Sequence, residues 1–172
     1  MSTPAIEITN LRKTYRKSGE GAGETEALRG VSLTVKQGDF FSLLGPNGAG
    51  KTTIIGILTG LVVKTSGEVK VNGVSIDENL SLAKTYIGVV PQEFNFSIFE
   101  KVMDIIVDQA GYYGIPRDEA IKRAEELLKD LGIWEKRNDK SQALSGGMKR
   151  RLMIARALIH KPSILLLDEP TA

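Results

Sequence analysis

Short apolar segments with strand-like spacing dominate the first half of this chain. Apolar residues recur every two or three positions, at 6, 8 and 11 and again at 28, 31, 33 and 35, and the glycine-rich polar segment 18–23 separates the two stretches. This pattern predicts an antiparallel β-layer at the N-terminus. A mainly apolar run at 40–44, followed by a glycine, is typical of a buried parallel strand.

Helical spacing replaces this pattern beyond Pro91. Apolar residues recur every three or four positions at 102–107, 120–131 and 152–159, and the last stretch ends just before Pro162. Such spacing predicts a block of amphipathic helices.

The order of the predicted elements indicates the fold class. A helix predicted at 51–58 and strand signals at 68–71 and 86–90 precede the helical block, and an apolar strand at 164–167 follows it. Alternating strands and helices favour a three-layer α/β core with a helical insertion.

Composition restricts the function classes. Hydrophobic residues make up 41% and charged residues 26% of the 172 positions, the balance of one globular unit. The net charge of +2 gives no reason to expect nucleic acid as the main partner. Cysteine is absent, which excludes disulfides and thiolate metal sites. No apolar run approaches the roughly 18 residues of a membrane span, so a membrane role would act through a partner.

Residues 45–52 match the phosphate-binding pattern G-x-x-x-x-G-K-[ST]. Glycines let backbone amides turn toward phosphate oxygens, and the start of the following helix carries a partial positive charge. We expect Lys51 to contact the β- and γ-phosphates of a nucleotide, Thr52 to bind magnesium and Thr53 to add a hydrogen bond to phosphate. The predicted cradle consists of Gly45, Pro46, Asn47, Gly48, Ala49 and Gly50.

Two carboxylates follow the apolar strand at 164–167. Asp168 is placed to hold magnesium through a water, and Glu169 is the candidate base that orients and polarises the attacking water. Two solvated acids at a strand end would give the same pattern in isolation. In a chain that also carries the phosphate loop, they predict phosphoryl transfer from a nucleotide to water.

A third segment, 144–151, opens a predicted helix with a serine and two glycines, Ser145, Gly146 and Gly147. Helix N-termini of this kind bind anions. An ordinary helix with a serine cap would give the same pattern. The segment resembles the signature of the ATP-binding cassette (ABC) family, which reads L-S-G-G-Q. The other segments that match the family, in the expected order, are 45–53, 91–92 and 164–172.

The resemblance implies that ATP and Mg²⁺ are bound between two subunits. Ser145, Gly146 and Gly147 would contact the γ-phosphate of the nucleotide on the opposite subunit, so that a homo- or heterodimer of cassettes encloses two ATP molecules. Met148 replaces the signature glutamine, a change expected to adjust the interface without abolishing it. The segment that begins at Met148 also resembles that of type-2 exporters of drugs and polysaccharides.

The resemblance assigns roles to further residues. Gln92 matches a glutamine that contacts magnesium and the attacking water, and Tyr15 matches an aromatic that stacks on adenine. A half-buried strand tyrosine would also explain Tyr15. Phe94, Phe96 and Phe99 lie where family members receive a membrane subunit. Either a docking patch or core packing explains these phenylalanines.

The implied fold is a P-loop NTPase (RecA-like) core with an N-terminal antiparallel β-layer. The single domain 1–172 would comprise layer and core at 1–91 and 145–172 and a helical subdomain at 92–144. In family members, an aspartate that crosses the dimer interface and a histidine near the γ-phosphate follow the acidic strand, which is 164–167 here and is called the Walker B strand. We therefore expect a domain truncated after this strand. The sole histidine, His160, precedes that strand and therefore does not match the family's histidine. We expect His160 to lie at a helix C-terminus, which favours a protonated imidazole.

The leading hypothesis is the ATP-hydrolysing subunit of an ABC transporter, which couples ATP-driven dimerisation to export by a transmembrane permease subunit. Such a subunit would be cytoplasmic and peripheral to the inner face of the cell membrane. The alternatives are a soluble cassette that acts on ribosomes or DNA, and a nucleotide-binding module with little turnover. The sequence shows neither tandem cassettes nor a long coiled coil, which disfavours the soluble cassette.

Overall fold

A computed structural model describes residues 3–16 and 23–168. The chain divides into two units, Met1–Tyr86 and Ile87–Ala172. Each unit has its own sheet and its own helices. The division predicted from the sequence, with a helical subdomain at 92–144, stays a prediction.

An antiparallel sheet forms the first unit. Its strands β1 (Ile6–Arg16), β2 (Glu24–Val35), β3 (Ser66–Val71) and β4 (Val74–Ser75) lie in the order β2-β1-β3-β4. At one end of the sheet, Ile6 of β1 pairs with Val35 on one side and with Val71 on the other. The antiparallel layer predicted at the N-terminus is present.

A β-bulge explains the irregular apolar spacing of β1. Ile6, Ile8 and Leu11 are all buried, although the last interval is three residues and not two. The pairing with β2 shifts register between Ile8 and Leu11, and Asn10 has a φ of 48°. Because side chains alternate along a strand, the extra residue returns Leu11 to the buried face.

Two helices complete the first unit, α1 (Lys51–Leu58) and α2 (Ile76–Thr85). The sequence predicted α1 with these bounds. Its residues Ile54, Ile57 and Leu58 are buried, in agreement with the apolar pattern.

Residues 40–44 do not form a strand, and the prediction of a buried parallel strand there is wrong. The segment has no regular secondary structure, and the side chains of Phe40 and Leu44 are 97% and 91% exposed. A strand needs a neighbouring strand to pair its backbone N–H and C=O groups. Among the strands of the described residues, none pairs with this segment.

The second unit contains one parallel strand pair and three α-helices in its described part. Strands β5 (Ile87–Val90) and β6 (Ile164–Leu167) pair in register from Ile87 with Ile164 to Val90 with Leu167. The helices are α3 (Val102–Gly111), α4 (Arg117–Asp130) and α5 (Gly146–Leu158), and two short 3₁₀ turns, Trp134–Lys136 and Ser141–Ala143, connect the last two. This is the predicted helical block followed by the predicted apolar strand.

The three helices share one apolar core. Its fully buried members include Val102 and Ile106 of α3, Leu128 of α4 and Leu152 of α5. Ser141 is buried beside this core, and its hydroxyl donates a hydrogen bond to the Ser97 carbonyl at 2.8 Å. Within the ranges that the structure describes, no helix has the length and apolarity needed to cross a membrane.

Candidate functional site

The phosphate loop of the first unit depends on two glycines with positive φ. Gly48 has a φ of 82° and Gly50 a φ of 90°, values that other residues rarely adopt. Between them, the Ala49 N–H donates to the Pro46 carbonyl at 3.1 Å and closes a turn. Gly50 is also the N-cap of α1, so the loop leads directly into that helix.

Gly50 also lies in close contact with strand β2. A Cβ added at Gly50 would lie 2.6 Å from Leu28 Cδ2 and 2.9 Å from the Ala27 carbonyl oxygen. At Gly48 an added Cβ would meet no atom within 4 Å. The loop is therefore fixed against the sheet at Gly50 and open around Gly48.

The Lys51 side chain folds back over the phosphate loop. Its Nζ donates to the Gly45 carbonyl at 2.5 Å and to the Pro46 carbonyl at 3.2 Å. This geometry holds the ammonium charge at the loop, where a phosphate bound by the loop would meet it.

The start of α1 offers further hydrogen-bond donors. The N–H groups of Lys51, Thr52 and Thr53 belong to the first turn, whose N–H groups have no acceptor within a helix. Gly50 supplies no side-chain cap, and the first turn contains no acidic residue. These N–H groups, which have no acceptor within their own helix, and the positive end of the helix dipole together favour an anion at this position.

Tyr15 lies near the end of β1 in the first unit. Its side chain is 40% exposed, and Lys13 Nζ lies 4.7 Å from the centre of its ring. The Lys13 ammonium also donates to the Val63 carbonyl at 2.8 Å. Tyr15 is thus a surface aromatic, and its contact with adenine stays a prediction.

In the second unit, the parallel pairing brings Asp168 beside the segment that carries Gln92. Strand β5 leads into Pro91 and Gln92, and β6 ends immediately before Asp168. The Asp168 N–H donates to the Val90 carbonyl at 3.0 Å. The carboxyl ends of parallel strands are where α/β proteins place ligands. Glu169, the candidate base, lies outside the described residues.

Ser145 is the N-cap of helix α5, and its predicted contact with a γ-phosphate stays a prediction. Its side chain accepts a hydrogen bond from the Met148 N–H at 3.3 Å. Gly146 and Gly147 are exposed, neither has a positive φ, and an added Cβ at either would meet no atom within 4 Å. The packing of the described chain therefore does not require glycine at these two positions.

The predicted metal ligands belong to both units: Thr52 to the first, Gln92 and Asp168 to the second. Over residues 3–16 and 23–168, no group of three or more His, Cys, Asp or Glu side chains could hold a metal ion. Magnesium at nucleotide sites uses one or two protein ligands together with phosphates and waters, so a hydroxyl and a carboxylate suit this ion. The ligand assignment stays a prediction.

Sequence reasoning missed the hydrogen bonds from Arg150 to the segment that carries Gln92. Its Nη1 donates to the Pro91 carbonyl at 2.9 Å and lies 3.4 Å from the Gln92 carbonyl. The one signal in the sequence is the basic run that follows the glycines of 144–151. That run does not reveal which backbone groups its side chains reach.

A model of the family described as "ABC transporter" matches residues 28–172. This match covers the phosphate loop, the Gln92 segment, the 144–151 segment and the acidic strand.

The chain belongs to the ABC transporter family.

Similar proteins are ATP-binding subunits of ABC systems. The linearmycin resistance ATP-binding protein LnrL of Bacillus subtilis is 40% identical over 166 residues, which are 96% of this chain and 51% of that protein. The lipoprotein-releasing system protein LolD of Syntrophus aciditrophicus is 41% identical, over 96% of this chain and 75% of LolD. The chain thus spans about half the length of LnrL.

Solved ABC cassettes share the fold. The dimeric cassette MJ0796 bound to ADP and Pi has a TM-score of 0.83 and 35% identity, over 96% of this chain and 74% of that one. CbiO1 from Clostridium perfringens, part of the cbiONQ complex, has a TM-score of 0.81 and 30% identity, over 99% of this chain and 67% of that chain. These likenesses confirm the predicted P-loop NTPase fold class.

Proposed function

We propose that this chain is the ATP-binding region of an ABC transporter subunit that hydrolyses ATP. The observation that carries the proposal is the phosphate loop, where glycines with positive φ, the N–H groups at the start of α1 and the Lys51 ammonium meet. Membership in the ABC family supports ATP as the ligand.

The first unit would bind the nucleotide. Its loop, Gly45 to Gly50, would surround the phosphates with backbone amides, and Lys51 would neutralise charge on the β- and γ-phosphates. The Thr53 side chain would add a hydrogen bond to phosphate. Tyr15 would stack on adenine, and its exposure on β1 supports this role.

The second unit would act on the water that attacks the γ-phosphate. Glu169 would accept the proton of that water, and Gln92 would orient it. Thr52, Gln92 and Asp168 would hold Mg²⁺, which when bound supplies charge neutralisation at the phosphates. The hydrogen bond from the Asp168 N–H to the Val90 carbonyl supports this arrangement, because it fixes the backbone of Asp168 beside the strand that leads to Gln92.

The start of α5 would bind the nucleotide of a second cassette. Gly146 and Gly147 weaken helix formation by roughly 1 kcal/mol each relative to alanine, and no contact within the described chain requires them. Small residues with open space around them suit close approach by a ligand from outside. The dimeric cassette among the similar structures supports a homo- or heterodimer.

A transmembrane permease would dock near the phenylalanines that follow Gln92. Phe96 is partly buried and packs against the helical core, so core packing explains it. Phe94 and Phe99 are 47% and 68% exposed, which supports a docking role for these two. The subunit would then lie at the cytoplasmic face of the membrane. The resemblance of the segment that begins at Met148 to that of type-2 exporters favours export as the direction.

Two experiments on the full-length protein test the proposal. Glu169→Gln should retain ATP and slow phosphate release by at least about 100-fold, because it removes a general base. Glu93→Gln, a change of the exposed carboxylate that follows Gln92, is the control and should release phosphate at the wild-type rate. Wild-type release by Glu169→Gln would remove Glu169 from the base role. Binding of ATP without turnover by the wild type would favour the nucleotide-binding module.

A further inference from the structure

The segment that carries Gln92 has no regular secondary structure of its own. Residues 91–95 connect β5 to the turn before α3, and they belong to neither a helix nor a strand. Because the segment lies outside the helices and sheets, side chains can accept or donate the hydrogen bonds that fix its backbone.

Two arginines of helix α5 supply such bonds at both ends of this segment. Arg150 Nη1 donates to the Pro91 carbonyl at 2.9 Å and approaches the Gln92 carbonyl at 3.4 Å. Arg156 Nη1 donates to the Asn95 carbonyl at 3.1 Å and to the Asn95 Oδ1 at 2.8 Å. The guanidinium group suits this task, because its planar set of donors reaches two acceptors at once.

Both arginines are themselves held in place. The Arg150 guanidinium lies 5.8 Å from the centre of the Phe94 ring, within range of a cation–π contact. Arg156 Nε donates to the Gln109 Oε1 of α3 at 2.7 Å. Burial lowers the pKa of the Arg156 guanidinium, and its nearby tyrosines Tyr112 and Tyr113 oppose this effect.

The same helix begins at the glycines proposed to meet the second nucleotide. Arg150 follows Gly146 by four residues, about 6 Å along the helix axis. Because a helix of this length moves as one piece, a displacement of its N-terminus would move the arginines and the segment bonded to them.

We propose that Arg150 and Arg156 are positioning residues that hold the Gln92 segment to α5. This inference rests on the proposed function for the role of Gln92 in hydrolysis. In this role the two arginines act through the backbone of the Gln92 segment. They fix the backbone from which the Gln92 amide extends, and they tie its position to the start of α5.

A spin label tests the positioning without any assumption about hydrolysis. Residues 1–172 contain no cysteine, so Glu93→Cys in the full-length protein, with any cysteine outside these residues changed to serine, accepts a single nitroxide beside Gln92. Arg150→Met and Arg156→Met should each increase the mobility of this label.

The control is Arg123→Met. This change removes the 3.2 Å hydrogen bond from Arg123 of α4 to the Ile159 carbonyl, which is not part of the Gln92 segment. It should leave the label unchanged. Unchanged mobility in both Arg150→Met and Arg156→Met would overturn the inference.

ATP hydrolysis tests the consequence for Gln92. Arg150→Met should lower kcat by about ten-fold or more and leave KM for ATP within about two-fold, because misplacement affects the reacting geometry and not the phosphate loop. Arg150→Lys keeps the charge and N–H donors but loses their planar arrangement, and should recover part of the lost kcat. Arg150→Lys also replaces Arg150→Met in this test if Arg150→Met fails to fold.

A mobile label together with a wild-type kcat in Arg150→Met would show that hydrolysis does not need Gln92 in a fixed position. The predicted effect on kcat would then be wrong. If the wild type does not hydrolyse ATP, the proposed function is wrong. The mobility of the label still tests whether the two arginines hold the Gln92 segment.

Discussion

Gly50 of the phosphate loop lies directly against Leu28 of β2, so close that a single added methyl group would come within 2.6 Å of Leu28 Cδ2. The φ of 90° at Gly50 is a second reason for glycine. Gly50 thus provides both the turn into α1 and the contact that packs the phosphate loop against the sheet.

Gly50→Ala should destabilise the protein more than Gly48→Ala. Both positions have positive φ, which costs roughly 1–2 kcal/mol for alanine. Gly50 alone adds a clash with Leu28 and the Ala27 carbonyl, worth about 1–3 kcal/mol more. Urea denaturation of both variants measures the difference. Equal losses of unfolding free energy would show that the contact with β2 is unimportant.

Gly146→Ala and Gly147→Ala should each leave the protein at least as stable as the wild type but prevent its dimerisation. Alanine meets no atom at either position, so the free energy of unfolding should stay the same or rise by up to about 1 kcal/mol. Dimerisation with MgATP should be lost, because the added methyl groups would face the second nucleotide. Thermal unfolding and sedimentation of the full-length protein measure the two effects.

Gly111→Ala is the matched control for this pair. Gly111 ends helix α3 and also has no atom within 4 Å of an added Cβ. Its substitution should leave MgATP-driven dimerisation intact. Dimerisation by Gly147→Ala at the wild-type affinity would argue against the proposed contact between subunits.

His160 should make stability depend on pH below neutrality. Its Nε2 donates to the Ile87 carbonyl at 3.1 Å, and the ring stacks on Tyr113 at 3.7 Å between centres. The His160 Nδ1 is buried and has no hydrogen-bond partner in the part of the chain that the structure describes. Burial therefore lowers the pKa of His160 below its ordinary 6.5.

The direction of the pH effect follows from this lowered pKa. The unfolded chain takes up a proton near pH 6.5 and the folded chain only at lower pH, so stability is complete above 6.5 and falls below it. The slope from one group stays under about 1.4 kcal/mol per pH unit. Urea denaturation from pH 5 to 8 should show a smaller loss in His160→Gln, which stays neutral. Equal slopes would contradict the assignment.

His160 also illustrates what the sequence alone could predict. The pattern placed it at the end of α5, which is correct, and suggested a protonated imidazole there. The structure instead favours a neutral ring, because burial lowers the pKa of His160 more than the hydrogen bond to the Ile87 carbonyl raises it. The contacts of the ring come from Ile87 and Tyr113, which are distant in the sequence. Sequence spacing contains no information about such contacts.

The same limit applies elsewhere in the fold. Local patterns were sufficient for β1, α1 and α5, since periodicity and capping are encoded within each segment. They failed at 40–44, because apolar composition does not reveal whether a neighbouring strand is present. They also could not assign the targets of Arg150 and Arg156, whose long side chains depend on how the helices pack.

The phosphate loop tests the account most directly. Lys51→Ala in the full-length protein removes the ammonium that folds over Gly45 and Pro46. The loss of a charged hydrogen bond of about 1.5–3 kcal/mol should weaken the binding of a fluorescent ATP analogue with Mg²⁺ by roughly 10- to 100-fold. Lys36→Ala, an exposed lysine of the same unit, should bind like the wild type. If Lys51→Ala binds the nucleotide with unchanged affinity, or if the wild type binds none, the proposed ATP site is wrong.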